Sequence, residues 1–89
     1  MEIRTLKYFL MIVCEESISK AARVLHITQP TLSRQMIRLE KNLGARLFIR
    51  SKSKISLTAE GLILESRARE ILDLVDKTTH ELSVRQSRA

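Results

Sequence analysis

Residues 17–33 run Ser17-Ile18-Ser19-Lys20-Ala21-Ala22-Arg23-Val24-Leu25-His26-Ile27-Thr28-Gln29-Pro30-Thr31-Leu32-Ser33. Ser17 is a good N-cap, and Ile18, Ala21, Ala22 and Leu25 repeat on one face of a short helix over about 18–25. The paired alanines let a second helix approach closely at a steep crossing. His26 and Ile27 then make a turn, with His26 expected to pack between the helices, and Thr28 caps a further helix. Ile27 before that cap and Leu32 four residues after it fit a hydrophobic staple. Pro30 falls in the first turn, where its missing N–H costs no helical hydrogen bond. The new helix continues to about Leu43, with Leu32, Met36, Leu39 and Leu43 as its core stripe and Gly44 as its stop. Pro30, Arg34, Ile37 and Lys41 lie opposite that stripe, flanked by Ser33 and Arg38.

Upstream, Leu6, Phe9, Leu10 and Val13 predict a first helix over about 3–15, with Met11 and Cys14 as core filler. Downstream of Gly44 the period changes from 3.6 to 2. Arg46–Arg50 and Ile55–Leu57 are short strand candidates joined by Ser51-Lys52-Ser53-Lys54. Two strands alone are marginal, so this hairpin must lean on the helices through Phe48, Ile55 and Leu57. Thr58 caps a last helix, which Gly61 weakens slightly. There Leu64, Ala68, Ile71, Val75, Thr78 and Leu82 step by four and three, an a/d seam that a second copy of the chain would bury. A helix over 59–83 extends ~37 Å, too far for so small a domain to cover. The end, Ser83 to Ala89, is expected to fray.

The whole chain has 89 residues, of which 44% are apolar, enough for one small domain. Two glycines, one proline and three aromatics disfavour a sandwich or barrel with its many tight turns. The longest apolar run, Tyr8 to Cys14, is far short of a membrane span, and the N-terminus lacks a signal peptide's apolar region. A lone Cys14 suits a reducing compartment. The formal charge is +6, and its placement is uneven. Residues 29–58 carry seven Lys and Arg against one acid, Glu40, whereas 59–89 are net −1. Such a stretch attracts polyanions, nucleic acid first. The expected fold is therefore mainly α: a winged helix-turn-helix of three helices and a two-stranded β wing over 1–58, then a long linker or dimerisation helix over 59–89. The second helix of such a motif enters the DNA major groove.

The run Ser17–Ser33 closely resembles the signature of the LysR-type transcriptional regulators. So do Leu39-Glu40 followed by Leu43-Gly44, Leu47-Phe48-x-Arg50, and Leu57-Thr58-x-x-Gly61. The resemblance covers roughly residues 3–75. It implies sequence-specific binding to double-stranded DNA as a dimer on an interrupted inverted repeat, in the cytoplasm of a bacterium and associated with its nucleoid. It also implies a C-terminal effector-binding domain that takes a small molecule. That domain is missing here, so a fragment or excised domain is expected. A tetramer is possible for a full-length protein. The family's usual glycine before Ser17 is Glu16 in this chain, which leads us to expect a slightly different turn.

Resemblance and helical wheel agree on roles. Gln29, Pro30, Ser33 and Arg34 are the candidate base contacts, Arg34 as a bidentate donor to guanine and Pro30 against a thymine methyl. Lys20, Thr28, Thr31, Arg38 and Lys41 are candidate phosphate contacts, which fix register without reading sequence. Arg50, Lys52, Ser53 and Lys54 belong to the wing, and Arg46 supports its strand. No enzyme, metal site or cofactor is indicated: His26 and His80 lie far apart, with no cluster at ligand spacing, and there is no Gly-rich phosphate loop. A nonspecific architectural DNA binder and a protein-interaction winged helix stay open, the latter disfavoured by the charge of 29–58.

Overall fold

Ser17 accepts the Lys20 N–H on its hydroxyl, and Thr28 does the same for Thr31, at 3.1 and 3.3 Å. These two caps open the central pair of helices where the sequence places them. The computed structural model describes residues 1–51 and 54–88. Its elements are α1 (Ile3–Glu15), α2 (Ile18–Leu25), α3 (Gln29–Leu43), β1 (Phe48–Arg50), β2 (Ile55–Leu57) and α4 (Ala59–Arg88). The strands pair antiparallel, Phe48 opposite Leu57 and Arg50 opposite Ile55.

All three connections between α1, α2, α3 and the wing use left-handed residues. Gly44 ends α3 at φ 65, its N–H turned back to the Glu40 and Lys41 carbonyls. His26 ends α2 at φ 59, with its N–H on the Ala22 and Arg23 carbonyls. Its side chain is exposed, rather than packed between the helices as expected, because a left-handed cap turns it outward. Glu16 takes φ 56, ψ 25 and donates its N–H to the Ile12 carbonyl. Glu16 adopts the conformation glycine favours, at a cost of about 1–2 kcal/mol for an L-residue.

α1 is the centre of the domain, packing against α2, α3, α4 and β2. Leu6, Phe9 and Ile12 are its buried residues. Ile12 lies outside the Leu6/Phe9/Leu10/Val13 stripe and is nonetheless fully buried, while Leu10 and Val13 are half-buried. Cys14, expected as core filler, is exposed. Ala21 and Ala22 are buried where α2 meets its neighbours, and Leu32, Met36 and Leu39 carry the inner face of α3. Leu43, the last position of that stripe, is 39% exposed beside the Gly44 turn. The wing leans on the helices as expected. The Phe48 ring lies 5.4 Å from that of Phe9, tilted by 44°, and Ile55 and Leu57 pack on the same core.

β1 begins at Phe48, two residues later than expected, because the Leu47 N–H goes to the Glu40 carboxylate and not to the facing strand. The Leu47 carbonyl accepts the Thr58 N–H at 3.0 Å, and the Arg46 carbonyl accepts the Thr58 hydroxyl at 2.6 Å. The core then continues past residue 58 into α4. Leu64 and Ala68 are 8% and 0% exposed, so the first two positions of the expected seam pack inside this chain. Ile71 is half-buried against the same cluster and Val75 is half-buried one turn on, whereas Thr78 and Leu82 are exposed. α4 runs to Arg88, five residues past the expected end at 83, since nothing in Val84–Arg88 is a glycine or proline that would stop it.

Gly61, read from sequence as a weak point, is a requirement of this junction. A Cβ there would overlap the Leu47 carbonyl oxygen and sit 3.0 Å from Leu57 Cδ2. Gly61→Ala should destabilise the domain by about 2 kcal/mol despite alanine's better helix propensity, because a backbone carbonyl cannot rotate away as a side chain can. A fall in Tm of roughly 10 °C by circular dichroism is expected. An unchanged or higher Tm would mean that the junction opens freely.

Candidate nucleic-acid interface

The N-terminal turn of α3 is built by threonines and presented by α2. Thr28 and Thr31 share a hydroxyl contact of 2.7 Å, and an Arg34 guanidinium nitrogen reaches Thr31 Oγ1 at 3.4 Å. The Ser19 hydroxyl donates to Gln29 Oε1 at 3.1 Å. Ser19 was not singled out in the sequence: a side chain ten residues away has no local signature. Gln29, Pro30 and Arg34 are exposed on this end of the helix, with Ser33 half-buried at the flank. Thr28 is exposed and Thr31 half-buried, their hydroxyls both engaged in the cap.

Arg38 and Lys41 extend the exposed face along α3, and Lys20 is exposed on α2. Arg50 and Lys54 are exposed on the wing. The other two wing candidates, Lys52 and Ser53, lie outside the described residues. Ser51 closes the base of the hairpin, its N–H and hydroxyl both donating to the Lys54 carbonyl, at 3.1 and 3.0 Å. A groove lined by Ile37, Lys41, Arg46 and Arg50 separates the outer face of α3 from the wing. A second cleft joins Ser19 and Gln29 to Arg50 and Lys54 at the other end. Helix and wing thus form one continuous basic surface.

Ion pairing divides the molecule. Among the described residues, no salt bridge engages Arg34, Arg38, Lys41 or Arg50, whereas α4 pairs its charges along its own surface. Arg67–Glu70, Arg69–Glu65 and Lys77–Asp73 each close at 3.0 Å. Glu40, the one acid of 29–58, is half-buried and spent internally. Its Oε2 accepts the Leu47 N–H at 2.7 Å and lies 3.6 Å from Arg46 Nε. Arg34, Arg38, Lys41 and Arg50 thus keep their charge for a ligand, and the described residues hold no cluster of three or more His, Cys, Asp or Glu placed for a metal ion.

The match to known proteins covers this same surface. Residues 3–62 match the model of the "Bacterial regulatory helix-turn-helix protein, lysR family". The transcriptional regulator BsdA of Bacillus subtilis (strain 168) is 51% identical over 73 residues, covering 81% of this chain and 25% of BsdA. TfdT of Cupriavidus pinatubonensis (strain JMP 134 / LMG 1197) is 42% identical over 79 residues, covering 89% of this chain and 35% of TfdT. The chain thus spans about a quarter to a third of these regulators. Among solved structures, the CbnR DNA-binding domain in complex with DNA superposes with a TM-score of 0.90 at 39% identity, covering 94% of this chain and 97% of that one. The BenM DNA-binding domain with catB site 1 DNA gives 0.89 at 40% identity, covering 93% and 92%.

Glu40 offers a test of how the surface is held. Glu40→Ala strands a buried backbone N–H and removes a charge-assisted hydrogen bond, at a cost of about 2 kcal/mol. We expect a lower Tm although the substitution removes a negative charge from a cationic region. If the Tm rises instead, charge repulsion outweighs the hydrogen bond and the wing is not anchored through Glu40.

Proposed function

Because this chain belongs to the bacterial regulatory helix-turn-helix proteins of the lysR family, we propose that it binds double-stranded DNA sequence-specifically as the DNA-binding part of a transcriptional regulator. α3 enters the major groove, and the wing follows the backbone or reaches the minor groove. The observation that carries this reading is the unpaired basic face of α3, continuous with Arg50 and Lys54, in a fold that superposes on two DNA-bound domains. Gln29, Pro30, Ser33 and Arg34 read base edges at the N-terminal end of α3. Lys20, Arg38, Lys41 and the wing hold phosphates. A small-molecule effector would bind a C-terminal domain of the kind this family carries, outside residues 1–89, and the regulator would work in the bacterial cytoplasm. No helix among the described residues is long and apolar enough to cross a membrane.

The domain acts as a homodimer through α4, on an interrupted inverted repeat. The seam that serves this is shifted from the sequence reading. With Leu64 and Ala68 used inside the chain, the exposed apolar residues of α4 are Leu62, Ile63, Leu74 and Leu82, at 58%, 66%, 64% and 58%, and Val84 at 37%; Leu74 and Leu82 are bordered by Ile71 and Val75. Replacing Leu74 and Leu82 together by Asp puts four charges into the interface of a symmetric pair, without touching the intramolecular core. The variant should sediment as a monomer with an unchanged helical spectrum. A wild-type chain that is monomeric at tens of micromolar removes the seam.

Arg34→Ala and Lys41→Ala should fail differently. Loss of a bidentate base contact costs about 1–3 kcal/mol on a selected site and less on scrambled DNA, and a dimer loses it twice. Loss of Lys41 should weaken both duplexes alike and reduce the salt slope by about one per subunit. With about eight phosphates neutralised per dimer, the wild-type slope is expected near −7. Titrations at two salt concentrations read all of this. A slope near zero overturns DNA binding, and equal losses for Arg34→Ala on both duplexes reassign base reading to Gln29, Pro30 and Ser33.

A further inference from the structure

The turn between α1 and α2 places one carboxylate on the basic side of the molecule. Residues 1–58 contain four acids, and the surroundings of each differ. Glu40 is consumed by Leu47 and Arg46. Glu2 borders the cleft at the start of α1 with Arg4 and Arg38, and Glu15 lies beside Lys20 and Arg23. Glu16 alone lines the cleft that also holds Ser19, Gln29, Arg50 and Lys54. Its Oε2 is 3.9 Å from Lys54 Nζ, both side chains being mostly exposed. Its left-handed backbone holds the residue at this turn, where glycine would bring no charge at all. A carboxylate here has the wrong sign for a surface that receives phosphates.

We propose that Glu16 tempers the affinity of this surface for DNA by competing with a backbone phosphate for Lys54. The inference rests on the DNA-binding reading above. In the free domain the lysine is shared with the carboxylate. On DNA it must leave Glu16 for a phosphate, or stay and contribute little. The penalty is independent of base sequence, because it acts on the backbone. Glu16 therefore lowers binding to random DNA as much as binding to a preferred site.

The test is a set of titrations of a fluorescent duplex, both a site selected from a random pool and its scrambled counterpart, at two salt concentrations. The proteins are wild type, Glu16→Gln, Glu16→Gly, Lys54→Ala and the double variant Glu16→Gln with Lys54→Ala. Glu16→Gln should tighten binding to both duplexes by about threefold per subunit, roughly tenfold for a dimer, which is the scale of one exposed charge interaction. The salt dependence should steepen by about one unit per subunit as Lys54 becomes a full phosphate contact. Glu16→Gly should reproduce the gain, since charge and not the side-chain amide is responsible. Lys54→Ala should weaken binding only slightly in wild type but reverse the whole gain in the Glu16→Gln background. Unchanged affinity for Glu16→Gln, or equal losses for Lys54→Ala in both backgrounds, overturns the proposal while leaving DNA binding intact. Failure of every protein, wild type included, to bind either duplex overturns the DNA-binding reading itself.

Discussion

The backbone of Leu47 is the point on which the molecule turns. Its N–H is held by a carboxylate from α3, its carbonyl by the first residue after the wing, and its side chain is buried. Next to it the Thr58 hydroxyl donates to the Arg46 carbonyl and accepts the Gly61 N–H at 3.0 Å. Three elements that share little sequence neighbourhood are thus tied through two adjacent peptide units. A buried peptide group left without these partners costs more than the bond itself contributes. The wing is therefore fixed relative to α3, and α4 leaves the domain in a set direction.

This arrangement also explains the electrostatics of the surface. A hydrogen bond to an ionised carboxylate is stronger than a neutral one, so the single acid of a strongly basic segment serves best as an internal anchor. Its charge is partly returned to Arg46, a residue of the wing's root. Among the described residues Arg34, Arg38, Lys41 and Arg50 face solvent without an ion pair, while α4 balances its charges locally with partners three or four residues away. Such exposed local pairs add little to stability. Their effect is to leave α4 nearly neutral, so the attraction for a polyanion is concentrated at one end of a molecule 55 Å long.

Most of the fold was legible in the sequence because it is specified locally. Caps at Ser17 and Thr28, the Gly44 stop and the change of period after it are short-range signals, and the bounds of α1, α2 and α3 follow from them. The exposed face of α3 is equally a matter of angle, so Arg34, Arg38 and Lys41 lie where the wheel puts them. What escaped depends on pairs distant in the chain. Periodicity shows that Leu64 and Ala68 want burial but not which surface buries them, and α1 of the same chain does. Nothing local to Gly61 reports the Leu47 carbonyl, and nothing around Ser19 reports Gln29. Glu16 was visible as a departure from the pattern the sequence resembles, but its left-handed backbone, a conformation that glycine favours, carries no local signal in a glutamate.

The thirty residues of α4 have a mechanical consequence. Its inward residues, Leu64 and Ala68, and its outward one, Leu74, sit on different azimuths of a single unbroken helix. The angle between the two faces is then set by residue count alone, at about 100° per residue. One added or lost residue between Ala68 and Leu74 would swing the outer face by more than a quarter turn, whereas seven would return it to within about 20°. The helix acts as a keyed shaft: it can change length only in steps that restore its phase, and the orientation of its outer face relative to the helix-turn-helix domain is set through that count.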